Sequence, residues 1–194
     1  MQRLETPRLL LREMRPADVE SLHWLFADPL LMRFWPLFTR SETEEWVEAN
    51  RRRYAQDGFG LWAVTLKGSD EAIGDCGMVR HEVDGAMETG IGWRRLRQHW
   101  GQGFAMEAAR ASRDYAFAQL EVERLVAAIH PENYASRRVA EKLGMRLQKE
   151  YHHWRGLRLL YVVEREVNTT ALSPPVDWLG AVRAPTPLNS HAVG

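Results

Sequence analysis

The sequence predicts a single α+β domain. Three short apolar segments, at residues 61–66, 72–80 and 87–93, are separated by turn-forming residues, which is typical of an antiparallel meander. Apolar residues at helical spacing occur both before and after this meander. The chain of 194 residues is long enough for one domain with a proper core, and a second full domain is not expected.

The segment before the meander predicts one strand and two helices. Residues 8–13 form a short apolar run with charged ends, as expected for a strand. Apolar positions at helical spacing over residues 18–26 predict the first helix. Ser41 and Glu44 have the spacing of a capping box, so a second helix is expected over residues 41–54.

The segment after the meander predicts two more helices and three more strands. Its first helix carries a stripe of small residues, which lets a helix lie close to a sheet. The stripe consists of Ala105, Ala108, Ala109, Ser112 and Ala116. The expected elements are a helix over residues 103–119, a strand over 125–129, a helix within 130–144, and a hairpin of strands 145–154 and 157–164.

The composition changes near residue 168. The sequence predicts a domain over residues 1–167 and a tail over 168–194 that is rich in Pro, Ala, Ser, Thr and Gly. Such a segment buries too little apolar area to order itself. Trp178 and Leu179 offer an apolar contact either to the domain or to a second subunit, so a homodimer stays open.

Charge and cysteine content exclude several classes of function. The 26 basic and 26 acidic residues balance, which argues against general nucleic-acid binding, because that requires a surplus of positive charge. Cys76 is the only cysteine, so no internal disulfide or thiolate metal cluster is expected. No apolar run approaches the ~20 residues of a membrane helix, and charges interrupt the N-terminal runs. We expect a cytoplasmic protein without membrane partners.

A glycine-containing loop and the helix after it predict an anion site. Gln98, Gly101 and Gly103 lie between the third strand of the meander and the helix at residues 103–119. Glycine lets backbone N–H groups face a ligand without a side chain in the way. The first turn of a helix adds unpaired N–H donors and a partial positive charge. The loop is therefore suited to a phosphate or pyrophosphate group.

The order of these elements, together with two motifs, resembles the GCN5-related N-acetyltransferase (GNAT) family. The resemblance covers residues 4–167, and the opening segment 6–13 adds a similarity to its RimJ/RimL-like branch, which acetylates ribosomal-protein N-termini. The matching residues are Gln98, Gly101 and Gly103 in the loop, and Asn133, Ser136, Lys142 and Gly144 in the later helix.

The resemblance implies α/β/α layers around a mixed, mostly antiparallel sheet and a binding site for acetyl-coenzyme A. In the family, the sheet splays between its fourth and fifth strands, here residues 88–93 and 125–129, and this co-substrate enters the gap. The implied binding residues are Ile91, Trp93 and Asn133 for the pantetheine, and Gln98, Gly101, Gly103, Phe104 and Ala105 for the pyrophosphate.

Two side chains are candidate catalytic groups. Acetyl transfer to an amine needs a proton acceptor, and a proton donor assists the leaving thiolate. Many family members have a tyrosine donor where this chain has Ala140, so Ser136 is the candidate acid, with a surface serine or a polar contact to coenzyme A as alternatives. Glu88 is the candidate base. The branch often has a glutamate at the position of Gly90. Glu88 lies two residues earlier on the same face of the strand, and therefore further from the thioester. The alternative is that Glu88 is an exposed strand carboxylate.

Several other side chains have two interpretations. Five arginines are candidates for coenzyme A phosphates, or else form charged surface. Cys76 is expected to be a buried structural thiol. His152 and His153 point to opposite sides of a strand, so no metal is predicted. The arginines are Arg94, Arg95, Arg97, Arg137 and Arg138.

The implied reaction is direct transfer of the acetyl group to a primary amine, with a peptide N-terminus as the first acceptor to consider. The first alternative is a small amine, such as an amino sugar, a polyamine or an amino acid. The second is a weakly catalytic module that binds coenzyme A. Phe34 and Trp35, beside Pro36, either belong to the core or line the acceptor pocket.

Overall fold

The computed structural model describes residues 3–153 and 155–166, and an eight-stranded sheet forms its centre. The strands are β1 (Arg3–Glu5), β2 (Leu9–Arg12), β3 (Leu61–Leu66), β4 (Ala72–Val83), β5 (Ala86–Arg95), β6 (Arg124–Ile129), β7 (Arg146–His153) and β8 (Gly156–Glu164). The helices are α1 (Val19–Phe26), α2 (Arg40–Gln56), α3 (Phe104–Gln119) and α4 (Tyr134–Lys142). The strand order is β1-β2-β3-β4-β5-β6-β8-β7, and neighbours are antiparallel except β5 and β6. The predicted α+β class is confirmed.

The N-terminal part of the structure differs from the sequence prediction in two details. A short strand, β1, precedes the predicted first strand, so the splay expected between the fourth and fifth strands falls between β5 and β6. The capping box of α2 uses Thr39 and Glu42, not Ser41 and Glu44. The Thr39 hydroxyl accepts a bond from the Glu42 amide at 3.2 Å, while the Glu42 carboxylate accepts one from the Thr39 amide at 2.7 Å. The predicted tail, including Trp178 and Leu179, lies outside the described residues.

The helices cover the two faces of the sheet separately. On the face called the front, α1 and α2 pack against Leu61 and Ala63 of β3 around a core that includes Leu22 and Phe26. On the back face, α3 and α4 pack against side chains such as Met78. The predicted small-residue stripe of α3 is confirmed as buried against the sheet. The sheet is therefore the middle layer of three.

The parallel strands β5 and β6 separate soon after they meet. They are in register at Gly90 and Val126, and the residues that follow on β5, 91–95, have no ladder partner on β6 within the described strands. On its other edge, β5 stays paired with β4 up to Arg95. This divergence opens a gap towards the carboxyl ends of β5 and β6, next to the loop that leads into α3.

The C-terminal part of the sheet curls over its own front face. Tyr151 of β7 packs in one cluster with Val83 of β4 and Val126 of β6, although β4 and β7 are not neighbours in the sheet. Lys149 of β7 also forms an ion pair with Asp84 in the β4–β5 turn, at 2.5 Å. The front face beside the gap is therefore a concave surface that is enclosed by strands.

Candidate active site

The loop before α3 presents backbone N–H groups at the end of the gap. Gly101 and Gly103 have φ angles of 73° and 80°, a left-handed conformation that side-chain-bearing residues rarely adopt. Gly103 caps α3, and the first helical bond runs from the Glu107 amide to the Gly103 carbonyl, at 3.1 Å. The amides of residues 104–106 precede that bond, so they are the unpaired donors of the first helical turn.

Other predicted residues of this loop contribute through their backbone. The side chains of Phe104 and Ala105 are buried in the core. The Gln98 carbonyl accepts a bond from the Gln102 side chain, which closes the loop at 3.0 Å. These contacts fix the loop shape while leaving the first turn of α3 at its edge.

An ion pair that the sequence analysis missed supports the loop. Arg8 donates from Nε to Glu107 at 2.7 Å and from Nη1 to the Gln102 carbonyl at 3.0 Å. The Thr6 hydroxyl donates to the same carboxylate, at 2.5 Å. Burial alone would raise the pKa of Glu107, but the bonds from Thr6 and Arg8 outweigh it and lower that pKa. Arg8 and Glu107 are almost 100 residues apart, so no local sequence pattern indicates this pair.

The predicted pantetheine residues lie on both sides of the gap. Ile91 and Trp93 belong to β5, and their side chains pack on the back face. Asn133 follows β6 and caps α4, because its Oδ1 accepts a bond from the Ser136 amide at 3.1 Å. Ser136 is half-buried in the first turn of α4. Ala140 is fully buried, and its methyl side chain supplies no proton donor.

Glu88 is paired rather than exposed. Its carboxylate lies 3.1 Å from Arg124 of β6, and the Glu88 side chain is only 17% exposed. Arg124 in turn donates to Gln148 of β7 at 3.1 Å. The alternative interpretation, an exposed strand carboxylate, does not hold, whereas the role of Glu88 as a base stays a prediction.

His81 occupies the space that Gly90 leaves on the front face. It lies opposite Glu88 in the β4–β5 ladder, and its ring is so close to Gly90 that a β-carbon there would overlap the imidazole. The Nε2 atom of His81 is buried and has no hydrogen-bond partner. Burial lowers the pKa of His81, and the Val79 carbonyl and the Glu88 carboxylate offset part of that effect. A neutral imidazole thus lies where β5 and β6 begin to diverge.

Three of the candidate phosphate-binding arginines have structural partners. Arg94 donates to the buried Asp75 at 2.9 Å and lies 4.8 Å from the ring centres of Phe26 and Trp46. Arg137 donates to the Tyr161 hydroxyl at 3.2 Å and to a carbonyl at 3.0 Å. Arg97 lies 3.6 Å from Asp28. Arg94 in particular holds the core together rather than facing a ligand.

A pocket of about 390 Å³ opens beside the gap, and Phe34 and Trp35 belong to its wall. The Phe34 ring stacks on His130, which directly follows β6, with ring centres 4.5 Å apart. The other aromatic wall, Trp35, lies 5.1 Å below the guanidinium of Arg155. The lining consists of Arg33, Phe34, Trp35, Pro36, His130, Arg155 and Arg158. The sequence indicated Phe34 and Trp35, and missed His130 and the arginines.

Arg158 on β8 is the most enclosed cation of this pocket. It is 4% exposed, and its Nη1 donates to the carbonyls of Arg155 and Leu157 at 3.2 and 2.9 Å. Burial lowers the pKa of Arg158. Burial and the charge of Arg158 likewise lower the pKa of Arg155. The guanidinium groups of Arg155 and Arg158 therefore repel one another in a partly desolvated part of the pocket.

A second pocket, of about 430 Å³, lies at the start of α1 around Arg12 and Asp18. Its residues come from neither β5, β6 nor the loop before α3. Arg12 and Asp18 already bond to each other twice, at 2.7 Å. This pair closes the end of β2 onto α1 and is a structural feature.

Cys76 is a buried thiol, as expected. It is 1% exposed and lies 3.4 Å from the hydroxyl of Ser112 on α3. Burial raises the pKa of Cys76 to about 12. Within residues 3–153 and 155–166, no three His, Cys, Asp or Glu side chains are grouped to hold a metal. Over the same residues, no helix has the length and apolarity to cross a membrane.

A mixed sheet that splays beside an N–H-rich loop, flanked by helices on both faces, is the architecture of acyl-coenzyme A-dependent transferases of the α+β class. Residues 8–146 match the model of the acetyltransferase (GNAT) domain. The chain belongs to the GNAT family and is an N-acetyltransferase, which confirms the family resemblance of the sequence.

Related proteins agree with this assignment. The uncharacterized protein YkkB of Bacillus subtilis is 39% identical over 154 residues, which are 78% of this chain and 90% of that protein. The crystal structure of an acetyltransferase from Agrobacterium tumefaciens is 28% identical, with a TM-score of 0.74, and the match covers 84% of this chain and 95% of that one. RimL, a ribosomal L7/L12 α-N-protein acetyltransferase solved with coenzyme A, shares the fold at 19% identity and a TM-score of 0.71, over 84% of this chain and 98% of RimL.

Proposed function

We propose that this protein transfers the acetyl group of acetyl-coenzyme A directly to a primary amine. The observation that supports this most is the gap between β5 and β6, which ends at the loop of Gly101 and Gly103. The pyrophosphate would lie on the N–H groups of Gly101, Gly103, Phe104 and Ala105, beside Gln98. The pantetheine would follow the open edge of β5 at Ile91 and Trp93, with Asn133 across the gap.

The acceptor that we propose first is a peptide N-terminus. The pocket of about 390 Å³ on the front face is open to solvent, and its lining residue His130 directly follows β6. The end of an extended peptide therefore has access to it. RimL, which shares the fold, acts on the N-terminus of a protein. A free α-amino group also suits the reaction, since it is only partly protonated near pH 7, unlike a lysine amine.

A small amine is the second candidate, and the pocket lining favours it in one respect. Aromatic rings and three guanidinium groups surround the same volume, which resembles a binding site for a compact polar molecule. Polyamines fit poorly here, because their charge has the same sign as the lining. An amino acid therefore remains a stronger alternative than a polyamine.

The front face supplies a route for the amine proton. In this proposal the amine nitrogen attacks the thioester carbonyl carbon, the carbon–sulfur bond breaks, and the amine proton passes to His81 Nε2. Glu88, opposite His81 in the ladder, would stabilise the resulting imidazolium. Ser136 in the first turn of α4 would protonate the departing thiolate. Glu88 thus keeps a role in proton removal, but through His81 rather than by direct contact.

A thiol-release assay tests the proposed function. Purified protein with acetyl-coenzyme A is offered peptides with free N-termini, amino acids, polyamines and aminoglycosides, and acetylated products are identified by mass. We expect turnover with an α-amine, and none when the peptide N-terminus is blocked. Binding of coenzyme A without turnover of any amine would instead indicate a binding module, and absence of coenzyme A binding would overturn the proposal altogether.

A further inference from the structure

We propose that the pocket beside the gap binds a carboxylate of the acceptor, so that the substrate is an amine carrying a carboxylate near its nitrogen. This inference rests on the proposed function and names the acceptor class. The carboxylate would belong either to a free amino acid or to an acidic residue at a peptide N-terminus. Both sources would present the same carboxylate group to the arginines of the pocket, and a titration with both kinds of ligand separates them.

The charge of the pocket has one sign. Within the part of the chain that the structure describes, its lining contains Arg33, Arg155 and Arg158 together with His130, and no aspartate or glutamate. The chain as a whole has equal numbers of acidic and basic residues, so a purely basic lining is a local arrangement rather than a reflection of composition. Such a lining attracts anionic groups and repels a polycation.

Arg158 provides the strongest argument. Its side chain is buried, and its bonds within the described residues go to two backbone carbonyls, not to a carboxylate. A buried cation without a counter-charge is costly, and an anion brought by a ligand would offset that cost. By contrast, the buried Arg12 and the partly buried Arg94 of the same protein each have an aspartate partner. Within the described residues, Arg158 thus differs from Arg12 and Arg94 in that no aspartate or glutamate pairs with it.

The shape of the pocket agrees with an amino-acid-sized group. The Phe34 ring stacks on His130 and bears Arg33 at 4.4 Å from its centre, while Trp35 bears Arg155. Guanidinium groups that lie on aromatic rings are held in plane, and planar guanidinium groups bind carboxylates with two parallel hydrogen bonds. His130 directly follows β6, so a carboxylate held here keeps the attached amine near the gap.

Calorimetric titration tests carboxylate binding apart from turnover. The full chain, with coenzyme A present, is titrated with glutamate and with glutamine amide, which has the same amine but no carboxylate. We expect glutamate to bind about tenfold or more tightly, as for loss of a charged hydrogen bond. A peptide beginning with Glu and one beginning with Gln form the second arm, and the tighter of the two acidic ligands identifies the source.

Arginine variants complete the test. Arg158→Gln is expected to reduce glutamate affinity about tenfold or more, and Arg33→Gln several-fold, while Arg52→Gln, exposed on α2, serves as the matched control. Arg33 is exposed, so its variant remains informative if Arg158→Gln fails to fold by circular dichroism. Equal affinity within both pairs, glutamate with glutamine amide and the Glu peptide with the Gln peptide, or unchanged affinity in the Arg33 variant, would overturn the inference. Carboxylate binding without acetyl transfer would overturn the proposed function and leave the anion site standing.

Discussion

The donor side and the acceptor side of the gap present different kinds of chemical groups, backbone amides on one and side chains on the other. On the donor side, the loop before α3 offers backbone N–H groups, and its shape depends on two glycines and on support from Arg8. On the acceptor side, the front face offers side chains that come from five separate parts of the chain. They are Arg33 to Trp35, His81, Glu88, His130 and the arginines of the β7–β8 hairpin.

This difference explains which parts of the protein tolerate change. Backbone donors are present with any side chain, so the donor side depends on steric space, on φ angle and on the Arg8 contacts that support the loop. The acceptor side depends on chemical groups, and a single substitution there alters charge or proton affinity without moving the sheet. We therefore expect donor-side variants to lose binding and acceptor-side variants to lose rate or selectivity.

The largest effect is expected for Gly103→Glu. The substitution places bulk and negative charge at the proposed pyrophosphate site and strains a left-handed residue, so coenzyme A affinity should fall by about 100-fold or more, equivalent to ~3 kcal/mol. Gly68→Glu is the matched control, because Gly68 has a φ of 83°, open surroundings and no place in the gap. Calorimetry that finds equal affinity in both folded variants would remove the donor-side assignment.

A smaller loss, about 100-fold in kcat at most, is expected for His81→Gln, in line with loss of a general base. Because burial lowers the pKa of His81, the wild-type rate should stay constant at neutral pH and fall only below the ordinary histidine pKa. The titratable groups that act on His81 are Glu88, which is paired with Arg124, and His153. If the His81→Gln variant loses the fall in rate at acidic pH, the role of His81 as a general base is supported. If the variant shows the same fall as the wild type, that role is contradicted. His152→Gln, exposed on β7, is the control.

Ser136→Ala should have a more modest effect, about tenfold in kcat, because thiolates leave tolerably without a proton. Affinity for coenzyme A should change less than the rate. The measurement is kcat beside a calorimetric Kd, with Ser41→Ala on α2 as the control. Equal rates in the variant and the parent would leave Ser136 as a helix residue whose amide is capped by Asn133.

The smallest effect is expected at Cys76, which tests whether the back face is closed. Burial raises the pKa of this thiol to about 12, so at pH 8 it should remain protonated and unmodified by iodoacetamide in the folded protein. Denatured protein should be labelled fully. Rapid labelling of the native state would mean that α3 separates from β4 and that the donor side is less rigid than its contacts indicate.

The sequence predicted the donor side better than the acceptor side for a physical reason. The strand, loop and helix from β5 to α3 are consecutive, and their pattern reflects local rules of turns and caps. His81, His130 and Arg158 carry no local pattern, since only the sheet register brings them to one face. The strand β1 escaped prediction because three residues with one apolar side chain give no periodicity. The α2 cap was misplaced by two residues because Thr39 and Ser41 both have glutamate three positions later.

The register of β5 with β6 has a consequence for the lifetime of the protein. Beyond Gly90 and Val126 the two strands share no ladder bonds, so the five-stranded and three-stranded parts of the sheet meet along a short seam. On the proposed function, the pantetheine bridges this seam and adds to folding stability by mass action, ~2.7 kcal/mol at a concentration 100 times its Kd. Resistance to cellular proteases would then rise and fall with the supply of acetyl-coenzyme A, which links the abundance of this enzyme to carbon metabolism.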